Sequence, residues 1–171
     1  MANQLEVWQR GPITNIPALL QPVAHALLQA NEEIEVLMKD FPDELLWTKP
    51  LGMASVGFHL QHLSGVIDRI FTYALNEKLS ESQFIDLSEE GKNSGDLLTV
   101  ALLVNRFNLQ VNQAINQLTE TDESTLTNFR SVGRAGLPST VIGLLFHAAE
   151  HTMRHLGQLI VTVKIVKEAE S

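Results

Sequence analysis

Residues 139–166 read S-T-V-I-G-L-L-F-H-A-A-E-H-T-M-R-H-L-G-Q-L-I-V-T-V-K-I-V. Apolar residues recur here at helical spacing, with no proline and only Gly143 and Gly157 as weak points. That is the pattern of one long amphipathic helix, opened by Ser139 and running to about Val166. His147, His151 and His155 stand four residues apart in it, a spacing that stacks side chains along one helix face, with Gln158 continuing the row. An amphipathic helix of this length must cover its apolar stripe with other helices.

The chain supplies them. A first helix is expected over residues 17–39, opened by Pro17 where a missing N–H costs little, with Pro22 bending or delaying it. Residues 40–53 form a connector broken by Pro42, Pro50 and Gly52. Ser55 is a good N-cap for a second helix to about Asn76, whose apolar stripe is Leu60, Leu63, Ile67, Ile70, Phe71 and Ala74. A short helix follows over residues 80–89, a break over 91–95, and a third main helix over 96–118. Residues 119–138 are polar, contain Gly133 and Gly136, and are expected to be the longest loop, a length that often carries function. The fold class is therefore all-α: a four-helix bundle in one domain over residues 1–171, with a short extra helix, one long loop and an N-terminal arm over residues 1–12.

Composition narrows the function. With 171 residues, 44% of them hydrophobic, the chain can bury a real core. A net charge of −8 gives a surface that repels nucleic-acid backbones and anionic membranes. The chain has no cysteine, which excludes disulfides and thiolate ligands and suits a reducing compartment. No apolar run approaches membrane-spanning length and the N-terminus has no signal pattern, so a cytoplasmic protein is expected.

Five of the six histidines fall in two clusters, His59 and His62 in the second helix and His147, His151 and His155 in the last. Two imidazoles one turn apart can chelate a divalent metal, and a third from a facing helix would complete a site with a position left for water or substrate. His25, alone in the first helix, reads as an ordinary hydrogen-bonded group. His147 to His151 also spells H-x-x-E-H, the inverted zinc-protease motif with Glu150 as general base, but a short bundle has little room for the cleft a protease needs. A di-iron bundle would need E-x-x-H motifs, and none occurs. Asp68, Arg69, Glu150 and Arg154 read as solvated surface charges, and Arg130 and Arg134 in the long loop as candidate contacts for an anionic substrate.

The segments S-V-G-F-H-L-Q-H-L (55–63) and E-H-T-M-R-H-L-G-Q-L (150–159) resemble the DinB-like (DinB/YfiT) superfamily of four-helix-bundle metalloproteins. The resemblance covers most of the chain and is most specific in H-x-x-x-H-x-G-Q. It implies a divalent ion, nickel or zinc, held by His62, His151 and His155, in a bundle that often forms a homodimer. On a helical wheel, however, His59 lies nearer than His62 to the stripe of Leu60, Leu63 and Ile67. His59 and His147 would then orient the ligands from behind, or serve as alternative ligands. Gln158 would orient a ligand or a bound water, or is an ordinary surface residue. The superfamily's name implies no DNA chemistry, since an acidic bundle without a magnesium-binding carboxylate cluster cannot act as a polymerase. What the resemblance implies for activity is a metal-dependent transferase that uses a low-molecular-weight thiol. A metal-dependent hydrolase and a non-catalytic metal or small-ligand binding stress protein are the alternatives. The partner expected is a small molecule or thiol, not nucleic acid or membrane.

Overall fold

Pro22 lies in the first turn of helix α1 (Gln21–Met38), where its missing N–H is one the helix would leave unpaired anyway. It delays the helix instead of bending it: Pro17 precedes a single 3-10 turn, Ala18–Leu20, and α1 starts only after that. Ser55 Oγ accepts from Phe58 N at 3.2 Å and so caps α2 (Val56–Ala74). Ser80 and Gln83 form a reciprocal capping box at the start of the short helix α3 (Glu81–Glu89). Thr99 caps α4 (Val100–Glu120) through a bond from Leu102 N. The long C-terminal helix α5 covers Val141–Ala169. This computed structural model describes residues 5–93 and 98–169. The expected helix start at Asp96 and part of the expected break at 91–95 lie outside the described residues.

The main interfaces are α2 with α5, α2 with α4, α1 with α5, and α1 with α4. The pairs α1 with α2 and α4 with α5 therefore lie diagonally across the bundle, while α2 and α4 pack side by side. Residues 39–55 and 121–140 make the two diagonal crossings, and residues 75–99, which carry α3, join the adjacent α2 and α4. The core between the helices is filled by Leu27 and Ile34 of α1, Leu60, Leu63 and Ile67 of α2, Leu103, Phe107 and Leu118 of α4, and Leu145 and Leu156 of α5, all fully buried. The aliphatic stripe read from α2 is thus the core stripe, with Ile70 only partly buried at its edge.

Two expectations change. Residues 119–138 are not a plain loop: α4 runs on to Glu120, and Phe129–Val132 (β1) pairs antiparallel with Leu137–Thr140 (β2) as a hairpin. Gly133 (φ +67°) and Gly136 (φ +62°) take the left-handed backbone its four-residue turn requires. Neither strand contains a fully buried residue, so no apolar alternation marked them. The hairpin is fastened to the bundle by Arg130, whose Nε donates to the Ala74 carbonyl at the end of α2, at 2.7 Å. Ser139 does not open the last helix. It lies in β2, and Thr140 Oγ1 takes the capping role by accepting from Gly143 N at 3.1 Å.

In the N-terminal arm, Val7–Arg10 forms one 3-10 turn whose Val7 is buried, with its N–H bonded to Gln29 of α1. Trp8 stays 61% exposed. Among the described residues no helix is long and apolar enough to cross a membrane.

Candidate metal centre

The α2–α5 interface brings the two histidine clusters face to face. His62 Nε2 and His151 Nε2 are 3.0 Å apart, and the His155 ring centroid is 4.5 Å from those of both His62 and His151. One ring nitrogen from each of His62, His151 and His155 lies within 4.8 Å of the others. His59 stands behind this group, 3% exposed, with its Nδ1 3.2 Å from His155 Nδ1. The wheel thus reads burial correctly, since His59 is the more inward of the α2 pair. The three nitrogens that cluster, however, belong to the half-buried His62 and the α5 pair. His147, Glu150 and His151 also bring their ligand atoms within 4.8 Å, but His147 is exposed and Glu150 is engaged by Arg154 at 2.6 Å. Gln158 is exposed, and His25 Nε2 is satisfied by the Gly11 carbonyl at 3.1 Å.

Burial lowers the pKa of His59 and of His155 to about 4, and the neighbouring His62 pushes each the same way. Burial, together with His62, His147 and Arg154, also lowers His151, with Glu150 acting weakly against them. Such imidazoles stay neutral at physiological pH and keep a lone pair for a cation.

The most informative contact comes from a residue the histidine pattern did not reveal. Glu90, just past α3, places Oε2 2.7 Å from His62 Nδ1 and Oε1 2.7 Å from Arg69 Nη2. Burial raises its carboxyl pKa, but the bond with His62 and the Arg69 guanidinium outweigh that and hold it below the usual carboxylate range. When neutral His62 donates Nδ1–H to Glu90, its Nε2 lone pair is turned toward His151. A carboxylate behind a histidine is the usual means by which proteins aim a metal-binding imidazole. Gly65 makes room for this arrangement, because a Cβ there would lie 2.5 Å from Arg69 Nη1 and 2.6 Å from Glu90 Oε1. Arg69 is therefore not a solvated surface charge. It is 8% exposed, since the carboxylate that neutralises it arrives from a segment distant in sequence. Asp68 is half-buried and accepts from Gln83 of α3 at 2.9 Å, while Glu150 pairs with both His147 and Arg154 on the surface of α5.

These groups fit a divalent ion. In a tetrahedral site, nitrogens roughly 2.0–2.1 Å from one zinc lie about 3.3 Å apart, close to the 3.0 Å between the two Nε2 atoms. With His62 Nε2 holding a lone pair, His151 must either donate its own Nε2–H, leaving a buried Nδ1 lone pair, or face lone pair to lone pair; its Nδ1 is buried without a partner in both cases. A cation removes the conflict between the facing lone pairs.

His62 and His151 also form one wall of a cavity of about 900 Å³, bounded by α2, α3, the hairpin turn and α5. Val66, Ile70, Phe84 and Leu87 give it an apolar side, and Arg69, Lys78 and Arg134 line it as well. Arg134 thus faces the cavity, whereas Arg130 is used in holding the hairpin to α2.

Fold and site together define a helical bundle with an open, histidine-rich centre able to hold a metal, set beside a substrate-sized cavity. The chain belongs to the DinB superfamily, whose sequence profile matches residues 26–159, a span that takes in every histidine of the site. Its structure is similar to the crystal structure of a conserved protein from Enterococcus faecalis, with a TM-score of 0.68 at 18% identity, covering 87% of this chain and 97% of that one. At that identity the likeness concerns the fold. Comparison with curated proteins finds no match.

Proposed function

We propose that His62, His151 and His155 hold one divalent ion, nickel or zinc, and that the protein transfers a small thiol to an electrophile bound in the adjoining cavity. The observation that carries this reading is that two of the three imidazoles, His62 and His151, form part of a wall of a 900 Å³ cavity instead of being closed over by protein. A closed structural site has no use for such a space, which falls in the range of small-molecule pockets. A bound divalent ion supplies one thing: it lowers the pKa of a thiol or water that takes its free position.

The chain's own residues do the rest. Glu90 fixes the tautomer of His62, and His59 orients His155 through their facing Nδ1 atoms. His147 lines the cavity, and when its Nδ1–H is donated to Glu150 its Nε2 is free to accept the thiol proton. Sulfur then forms a bond to the electrophilic carbon as that carbon's leaving group departs with the electrons of the broken bond. Because the chain has no cysteine, the thiol must enter from solvent. Water in the thiol's place would make the same site a hydrolase.

The test is a panel of bacterial low-molecular-weight thiols with a generic electrophile, run with metal-loaded and metal-stripped protein. Faster thiol consumption by the loaded form, lost in His151→Ala, is the expected result. A response only to an ester or amide panel would assign the hydrolase. No response to either would leave a binding module.

A further inference from the structure

Helix α3 has no buried residue, yet carries Phe84, Ile85 and Leu87 at 42%, 56% and 43% exposure. A nine-residue helix that packs no apolar side chain into the core gains little from burial. It is held instead by polar clamps: Gln83 donates to Asp68 and Thr72 at one end, while Glu90 and the Gly91 N–H reach α2 at the other. Two of its three apolar side chains, Phe84 and Leu87, line the cavity and face Val66 and Ile70 of α2 as further lining. An apolar wall left uncovered by the core is expected where a ligand's body completes the packing.

Beside Glu77, the cavity lining carries three basic residues, Arg69, Lys78 and Arg134. Of these, Arg69 is matched by Glu90. Arg134 projects from the turn of the hairpin, and its guanidinium carbon sits 5.6 Å from the centre of the Phe84 ring. Among the described residues no carboxylate pairs with it. Stacking on an aromatic ring preorganises a guanidinium without using its in-plane donors, which match a carboxylate bidentately. In a chain of net charge −8, an unpaired arginine at the edge of an apolar cavity is a local attractor for anions.

We infer that the cavity takes a small amphipathic carboxylate, with its carboxylate on Arg134, its apolar body against Phe84 and Leu87, and its reactive end toward His62 and His151. The inference names the electrophile class for the transferase reading and rests on that reading for the role of the histidines. The binding itself does not depend on turnover.

The probes are 4-phenylbutyrate and its primary amide, titrated by calorimetry into metal-free and zinc-loaded protein. The acid should bind about tenfold more tightly than the amide in both forms, as a charge-assisted pair of hydrogen bonds provides. Arg134→Gln should bring the acid down to the amide's affinity, and Phe84→Ala should weaken both probes. Arg134 lies on an exposed turn, so its replacement leaves the bundle intact; an unchanged thermal midpoint checks this. Equal binding of acid and amide, or an acid preference that survives Arg134→Gln, overturns the inference. A preference seen only with zinc does so too, because the carboxylate would then be a metal ligand. A negative thiol panel leaves the metal-free titrations standing, and a missing acid preference leaves the transferase reading untouched.

Discussion

His59 and His62 differ by three residues on one helix, yet the structure gives them separate tasks. His59 faces the core and meets His155 through Nδ1, while His62 is fixed by Glu90 and presents Nε2 to His151. Removing an arm of the cluster should matter more than removing a support. His62→Ala, His151→Ala and His155→Ala are each expected to abolish tight metal binding, whereas His59→Ala should weaken it about 10- to 100-fold. Glu90→Ala belongs with His59→Ala, and Glu90→Gln, which keeps an acceptor for His62 Nδ1–H, should cost less. His25→Ala should leave metal binding unchanged, because its Nε2 is engaged by the Gly11 carbonyl and it belongs to neither group of candidate ligands. Dialysis against a graded chelator followed by elemental analysis measures the series. Full occupancy in the His151 and His155 variants would place the metal elsewhere, and a worse defect in His59→Ala than in His62→Ala would make the buried imidazole the ligand.

Among the elements, α2 and α5 carry the histidines into the bundle's packing, which ties stability to pH. The folded state holds His59 and His155 neutral with pKa values near 4, against an ordinary value of 6.5 once the chain unfolds. The unfolded chain therefore takes up protons first as pH falls. Their contribution is fully present above about pH 6.5 and is lost between there and about pH 4. The thermal midpoint of metal-free protein should fall across that window, and His59→Leu should flatten the slope. A midpoint equally steep in His59→Leu would assign the acid sensitivity to other groups. The hairpin and α3 stand apart from this core. Helix α3 is attached by polar contacts of Gln83 and Glu90 to α2, the hairpin by Arg130 to Ala74 and by the partly buried Val132, and both contribute lining to the cavity.

For the molecule as a whole, the family resemblance carries the expectation of a homodimer, the commonest closed assembly. Leu5, Trp8 and Val36, all exposed, lie on the arm and on α1, a part of the surface that does not line the cavity. Light scattering should give twice the 19.0 kDa of one chain. A mass of one chain over a wide concentration range would remove this expectation, and an unchanged dimer in Trp8→Ala would place its interface away from the arm.

Periodicity, caps and breakers are local, so the amino-acid sequence by itself determined the four main helices, the Ser55 cap, the short helix after Ser80, the core stripe of Leu60, Leu63 and Ile67, and the single histidine face of α5. The same locality explains what it missed. The hairpin buries nothing fully, so it leaves no alternation to read, and Ser139 looks like a cap until Thr140 is seen in that role. Which charges are solvated and which are paired is a matter of distance through space. Arg69 reads as a surface residue because Glu90 lies twenty-one positions away and meets it only when α3 folds back on α2. The clustering of His62 with the α5 pair, the carboxylate behind it, and the cavity between α2, α3, the turn and α5 all arise from that packing, since each needs side chains that no helix could bring together alone.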